Sequence, residues 1–298
     1  MEILVCPANM SEGRRYDVVA RIALAAGRPG VQLLDVHTDP DHNRSVLTFA
    51  GEADPLVEGL VAATRTAADT IDLATHRGVH PRLGAMDVVP FVPVGPSGHE
   101  AMEGAVAAAR RYARAISDEL GIPSFLYEEA GDGRALPDLR RLAFAGLVPD
   151  HGGPDPHPTA GAVAVGARGV LVAYNVDLDT GDIGVARRIA AAIRERGGGL
   201  PYVRALGLAL PSRGVVQVST NLIRPAVTPI GAVFDAVEAR ARAEGIEVAG
   251  SEVVGLVPRA ALPPSAAHLR FVRPPRILEE QLARLFPAAM LNTATGVT

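Results

Sequence analysis

The stretch HRGVHPRLGAMDVVPFVPV, residues 76–94, places two imidazoles, two guanidinium groups and an acid at the entry of an apolar strand. His76 and His80 are four apart, a spacing that on a helix would aim both rings at one metal ion. Gly78 and Pro81 interrupt such a helix and no glutamate stands between the two rings, so no metal is expected. His37, His42, His99, His151, His157 and His268 have no ligand spacing either. An imidazole at a strand mouth, beside Arg82 and within reach of the turn that carries Asp39, is suited to moving protons near neutral pH. The bland alternative for His80 is a satisfied side chain next to a strand. Nucleophilic chemistry has no local support: there is no GxSxG elbow, no CxxC and no GxGxxG after a strand. Cys6, the single cysteine, reads as a small buried hydrophobe.

Composition narrows the field. All 29 basic side chains are arginines, so a Walker A lysine and a pyridoxal Schiff base are both excluded. Anionic ligands must therefore meet planar guanidinium forks. A net charge of −4 gives no footprint for nucleic acid. No apolar run approaches the ~18 residues of a membrane span. The opening MEILVCPANM lacks the basic-then-apolar layout of a signal peptide, and one cysteine cannot form an internal disulfide. These features predict a cytoplasmic enzyme or binding protein of one or two domains.

The elements that must position His80 follow from periodicity. Strand 2–8, helix 14–27, strands 31–38 and 44–51 around DPDHN, a helix from Asp54 to Ala74 with Asp54 as cap and Pro55 at its first position, and strand 86–94 form a βαββαβ order. Ser97 to Glu100 reads as a capping box before a helix ending near Gly121, followed by strand 124–130 and a short helix at 138–146. After a Gly/Pro/His loop at 150–161 the order starts again: strand 163–177, helix 182–196, strands 203–210 and 214–223, helix 229–244 capped by Thr228, strand 247–257. A last helix is expected at 276–286. The predicted class is α/β (α+β), with two ferredoxin-like βαββαβ subdomains, residues 1–178 and 179–298, and helices on one face of each sheet.

Six blocks then carry a resemblance. CPANMSEGR (6–14), LLDVHTDPDHNRSVLTF (33–49), residues 76–94, HPTAGAVAVGARGVLVAYNVDL (157–178), QVSTNL with VTP (217–229) and GSEVVGLVP (250–258) together resemble the glutamate formimidoyltransferase family, in order along most of the chain. The resemblance implies two similar subdomains with a substrate tunnel between them. It implies transfer of the formimino group from N-formimino-L-glutamate to N5 of tetrahydrofolate, a co-substrate, in histidine breakdown, without a metal.

It also implies site residues. The family's catalytic histidine lies in G-x-H-P-R, here Gly78 to Arg82, which assigns His80 and places Arg82 beside it. The AVGARGVLV block implies a folate-binding segment of Val163, Ala164, Val165, Gly166, Ala167, Arg168, Gly169, Val170, Leu171 and Val172. Asn9 and Ser11 match a loop that approaches the same cavity. Arg44, Arg82 and Arg168, with Arg224 just outside a block, are candidates for carboxylate forks. The family has an acid at the place of His37, as partner for the catalytic imidazole, so either His37 or Asp39 is expected to orient His80. Bifunctional relatives carry a cyclodeaminase domain that this sequence is expected to lack, so a separate cyclodeaminase is expected downstream. A homodimer is compatible with the sequence. A glutamate N-formyltransferase using 5-formyltetrahydrofolate and a non-catalytic folate-binding protein remain as alternatives.

Overall fold

The computed structural model describes residues 3–94 and 99–286. Its first half alternates as expected: β1 (Ile3–Met10), α1 (Tyr16–Ala25), β2 (Val31–Asp39), β3 (Arg44–Gly51), α2 (Ala53–Thr70) and β4 (Met86–Val94). These are followed by α3 (His99–Leu120), β5 (Ser124–Glu128), α4 (Leu136–Leu142) and β6 (Val163–Ala167). The six strands form one sheet in the order β2-β3-β1-β4-β6-β5. Its first four strands have the antiparallel ferredoxin-like order, while β6 runs parallel to both β4 and β5.

The second half comprises β7 (Val172–Leu178), α5 (Ile183–Ile193), β8 (Val203–Leu210), β9 (Val215–Leu222), α6 (Ile230–Ala243) and β10 (Val248–Val254). Its antiparallel order, β10-β7-β9-β8, repeats that of β4-β1-β3-β2. A two-residue parallel pair, β11 (Leu256–Val257) with β12 (Arg276–Ile277), precedes α7 (Leu278–Leu285).

Period-two burial explains the cores. Leu4, Cys6, Ala8 and Met10 of β1 face Val18, Val19 and Ile22 of α1, Leu56 and Leu60 of α2, and an alanine-rich stripe of α3. That stripe, Ala105, Ala108, Ala109 and Ala113, allows close approach to the sheet. Tyr112 lies buried among them with its hydroxyl 2.6 Å from Thr64 Oγ1. In the second half, Val172, Tyr174, Val176 and Leu178 of β7 face Val185, Ile189 and Ile193 of α5 and Ile230, Val233, Phe234 and Val237 of α6. One feature adds to the expected helices on a single face: Leu139 of α4 packs with Val88, Phe125 and Ala164 on the opposite side of the first sheet.

Several expected boundaries change. The run 163–177 is two strands, because Val163–Ala167 pairs with β4 and β5 whereas Val172–Leu178 pairs with β9 and β10. Among the described residues the compact units divide at Gly169/Val170, where the expectation was after Leu178: 3–94 and 99–169 with 282–286 form one, and 170–281 the other. Helix α2 starts before Asp54, with Glu52 at the cap position and Asp54 in the first turn, where the helix dipole favours an acid. Thr228 does not cap α6; its hydroxyl donates to the Pro201 carbonyl at 2.7 Å. Arg276 and Ile277 extend as β12 before α7 begins. The expected capping box at Ser97 lies partly outside the described residues. No helix among the described residues is long and apolar enough to cross a membrane.

Candidate active site

Three chain segments meet at one end of the first sheet. Antiparallel register sets Met10 at the end of β1 opposite Ser45 at the start of β3 and Met86 at the start of β4. The tail of β1, the β2–β3 turn and the loop before β4 are therefore neighbours by topology. Ser11 stitches the first to the third: its amide donates to the Ala85 carbonyl at 2.8 Å and its hydroxyl to the Gly84 carbonyl at 2.7 Å. Asn43, in the left-handed region at φ 46°, accepts from the Gly13 amide at 2.9 Å and donates to the Arg77 carbonyl at 2.8 Å. Asp39 Oδ1 accepts from the His42 amide at 2.7 Å and so shapes the turn itself. Gly78 passes so near this turn that a Cβ there would lie 2.3 Å from the His42 carbonyl oxygen.

Beneath these loops sits the acid of the 76–94 stretch. Asp87 is 0% exposed, near the start of β4. It pairs with Arg44 and, at 2.5 Å, with Arg140 of α4, and its other oxygen accepts from the Leu83 amide at 2.5 Å. Burial alone would raise its pKa, but Arg140, Arg44 and the Leu83 amide outweigh burial and bring it down to about 2. Arg44 is itself held by Asn9, whose Oδ1 accepts from Nε at 3.1 Å and from a terminal nitrogen at 2.8 Å. Arg140 also donates to the Pro81 carbonyl at 2.7 Å.

His80 uses the same carbonyl. Its Nδ1 lies 2.7 Å from Pro81 O, and because a carbonyl only accepts, Nδ1 carries the hydrogen. The neutral ring then offers the Nε2 lone pair. The side chain is half-buried, and its pKa lies well below the ordinary histidine value. Desolvation by the surrounding loops is the main cause, reinforced by Arg44 and Arg140; Asp87 opposes it, and His42 adds to it. Arg82 clamps the backbone of the same loop, donating to Gly78 O at 2.6 Å and His80 O at 2.8 Å. The arrangement can accept a proton from a weakly acidic nitrogen and return it to a departing one.

The remaining expected residues fall as follows. His37 stands on β2 opposite Val46, and Asp39 closes that hairpin opposite Arg44. The imidazole that packs against His80 is that of His42, with ring centroids 5.7 Å apart. Val163, Ala164, Val165, Gly166 and Ala167 are buried within β6, and Val172 is buried in the second core. Arg168, Val170 and Leu171 are half-buried and Gly169 is exposed. One terminal nitrogen of Arg168 donates to the Gly169 carbonyl at 2.9 Å, and the guanidinium also reaches the Tyr127 hydroxyl. Arg44 and Arg82 are thus occupied by Asp87, Asn9 and backbone carbonyls. Arg224 lies over the Tyr202 ring, 4.6 Å from its centroid. Cys6 is fully buried, and burial pushes its thiol pKa up, away from nucleophilic use. Among the described residues no group of three His, Cys, Asp or Glu side chains gathers around a metal position.

No site role follows from the sequence for Asp87, Arg140 or His42. A lone acid in GAMDVVPFV is a usable signal, since a buried carboxylate demands partners. Arg140 has none, because only the tertiary fold brings α4 to β4. A second polar group was also missed, within the second unit. Gln217, 0% exposed on β9, donates to Asp177 Oδ1 at 2.8 Å and to Glu252 at 3.4 Å. Arg213 pairs with Asp177 at 2.9 Å, and Asn175 donates to Glu252 at 3.2 Å.

Residues 3–168 match the family model described as "Formiminotransferase domain, N-terminal subdomain", and residues 173–285 match "Formiminotransferase domain". The chain is 40% identical to a glutamate formimidoyltransferase of Streptococcus pyogenes serotype M1, over 88% of this chain and 91% of that protein. A glutamate formimidoyltransferase of Thermoplasma acidophilum is also 40% identical, over 88% and 90% respectively. A formimidoyltransferase-cyclodeaminase of Gallus gallus is 40% identical over 88% of this chain but only 51% of its own length. With both units matched in order and nearly the full length of the prokaryotic relatives covered, this chain belongs to the formiminotransferase domain family.

Proposed function

We propose that this chain transfers the formimino group of N-formimino-L-glutamate to N5 of tetrahydrofolate, giving 5-formiminotetrahydrofolate and L-glutamate, with His80 as the proton carrier. The observation that carries the reading is the geometry of His80: Nδ1–H donates to the Pro81 carbonyl at 2.7 Å, which leaves Nε2 to accept a proton. N5 attacks the amidine carbon, forming an N5–C bond and a tetrahedral centre. His80 Nε2 accepts the N5 proton and delivers it to the glutamate nitrogen as the C–N bond breaks. No covalent enzyme intermediate is needed, and holding both substrates together supplies much of the acceleration. Asp87 is outnumbered by Arg44, Arg140 and the nearby Arg82, and this surplus positive charge draws in substrates that carry two carboxylates.

The exposed and half-buried positions Arg168 to Leu171, together with Asn9 and Ser11, are the folate-facing candidates in this reading. The reaction takes place in the cytoplasm. The 5-formiminotetrahydrofolate formed is the substrate of a cyclodeaminase step, whereas both units described here match formiminotransferase models. The test is to incubate the protein with tetrahydrofolate and formiminoglutamate. Glutamate release that requires both substrates, with ammonia appearing no faster than in buffer, is expected. Glutamate release independent of folate, or its absence, would refute the reading.

A further inference from the structure

The group that orients a proton-carrying imidazole is as important as the imidazole, because a freely rotating ring loses the aim of its lone pair. For His80 only one side of the ring is fixed by a hydrogen bond, that of Nδ1 to Pro81. Its ring is met by that of His42, at 5.7 Å between centroids and tilted 49° between planes. His42 is itself rigidly presented. It is 7% exposed, its amide is tied to Asp39 Oδ1 at 2.7 Å, and the next residue, Asn43, anchors the turn to Gly13 and Arg77. Gly78, two residues before His80, brings the loop against the His42 carbonyl, and the Val79 amide donates to Asp41 at 3.1 Å. The turn and the loop are thus built to hold these two rings against each other.

Resting on the reading of His80 as the proton carrier, we propose that His42 is a positioning residue for that reaction: its imidazole sets the plane of the His80 ring, and the two rings titrate as one coupled pair. Two imidazoles this close do not both take a proton readily, so each disfavours the charged form of the other. The other charged groups facing His80 are Arg44 from β3, Arg140 from α4 and Asp87 from β4, with Arg82 in its own loop. The two arginines act in the same direction as His42, and Asp87 acts against them. His42 therefore adjusts a proton affinity that the arginines and burial have already lowered. Asp39 acts one step further out, by shaping the turn that presents His42.

Two variants separate the plane from the proton. His42→Phe keeps a flat ring and the desolvation but cannot titrate; His42→Ala removes both. The imidazole signals of the full chain are followed by NMR as a function of pH, without substrate. The His80 midpoint in His42→Phe is expected to lie above that of the unsubstituted protein, and the acid limb of kcat/KM is expected to move up with it. In His42→Ala, kcat is expected to fall by about tenfold with KM changed by less than about twofold, and His42→Phe is expected to recover part of that loss. A His80 midpoint unchanged in His42→Phe overturns the pairing. That midpoint is read without turnover, so it decides the question even for a protein found to transfer nothing. If His42→Ala fails to fold, His42→Phe alone still decides.

Discussion

The two units share a strand order and differ in what they place at corresponding positions. Asn9 and Asp177 are both the penultimate residues of the first strand of their unit, and each is met by an arginine from the hairpin that follows, Arg44 or Arg213. In the first unit the strand residue is neutral, and Arg44 passes its charge to Asp87, which Arg140 shares. In the second the strand residue is itself the acid, and Gln217 joins it to another, Glu252. In the first group two arginines share one carboxylate; in the second Arg213 meets Asp177, and Gln217 and Asn175 meet Glu252. The same βαββαβ frame thus carries polar groups of different make-up, and the one in the first unit lies beside a histidine suited to carry protons. Function follows from the side chains placed on the frame, not from the frame.

Breaking the group in the first unit should cost most. Asp87→Asn leaves the part-buried Arg44 and Arg140 without their fully buried anion, and a loss of about 3 kcal/mol in denaturant unfolding is expected. The same carboxylate gives a pH dependence of fixed sign. Its folded pKa is depressed to about 2, so its stabilisation is complete at neutral pH and is lost as pH falls through the ordinary carboxylate range to about 2. Acid unfolding of Asp87→Asn should lack that component. An Asn variant as stable as the parent at neutral pH would show that the arginines do not depend on the charge.

Gly78→Ala comes next. The added Cβ cannot sit 2.3 Å from the His42 carbonyl oxygen, so the loop must move off the turn. A destabilisation of about 1–3 kcal/mol is expected, with kcat falling more than substrate affinity. Equal loss of both, or none, would show that this contact does not aim His80. In the second unit, Asp177→Asn should cost only about 1 kcal/mol, because Arg213 is about one-third exposed and can turn to water. Its acid limb of kcat/KM should coincide with that of the parent; a displaced limb would erase the distinction between the two groups. The smallest effect is expected for Arg168→Ala, a folate Kd raised by less than about tenfold with that for formiminoglutamate unchanged. Equal weakening of both ligands would remove Arg168 from the folate side.

Much of the frame was readable because burial on one face imposes a period on the strand. β8 begins and ends where alternation places it, and β3 and β4 where continuous apolar runs do, since both faces of these two strands are buried. The run from Val163 to Leu178 was not divisible by pattern alone. Both pieces are apolar, and only pairing with different sheets separates them, although Arg168-Gly169 marks the break. His80 was readable from its motif and Arg44 from its block, but the use of Arg44 was not. Its partner Asp87 lies 43 residues away along the chain and Arg140 a further 53 from Asp87, distances over which sequence spacing says nothing. The sequence points to His37 or Asp39 as the orienting partner; no spacing rule points to His42, whose ring lies 5.7 Å from that of His80 and whose amide donates to Asp39 Oδ1.

The account stands on His80 as the proton carrier, and one comparison tests it most directly. Glutamate release from formiminoglutamate and tetrahydrofolate is measured for the parent and for His80→Ala, with folate binding measured on the same preparations. The expected result is a fall in kcat of ~10²–10⁴ with folate affinity nearly intact, and, in the parent, an acid limb below the ordinary histidine range because the ring is held neutral. Turnover by His80→Ala close to that of the parent would contradict the account and return His80 to a structural role.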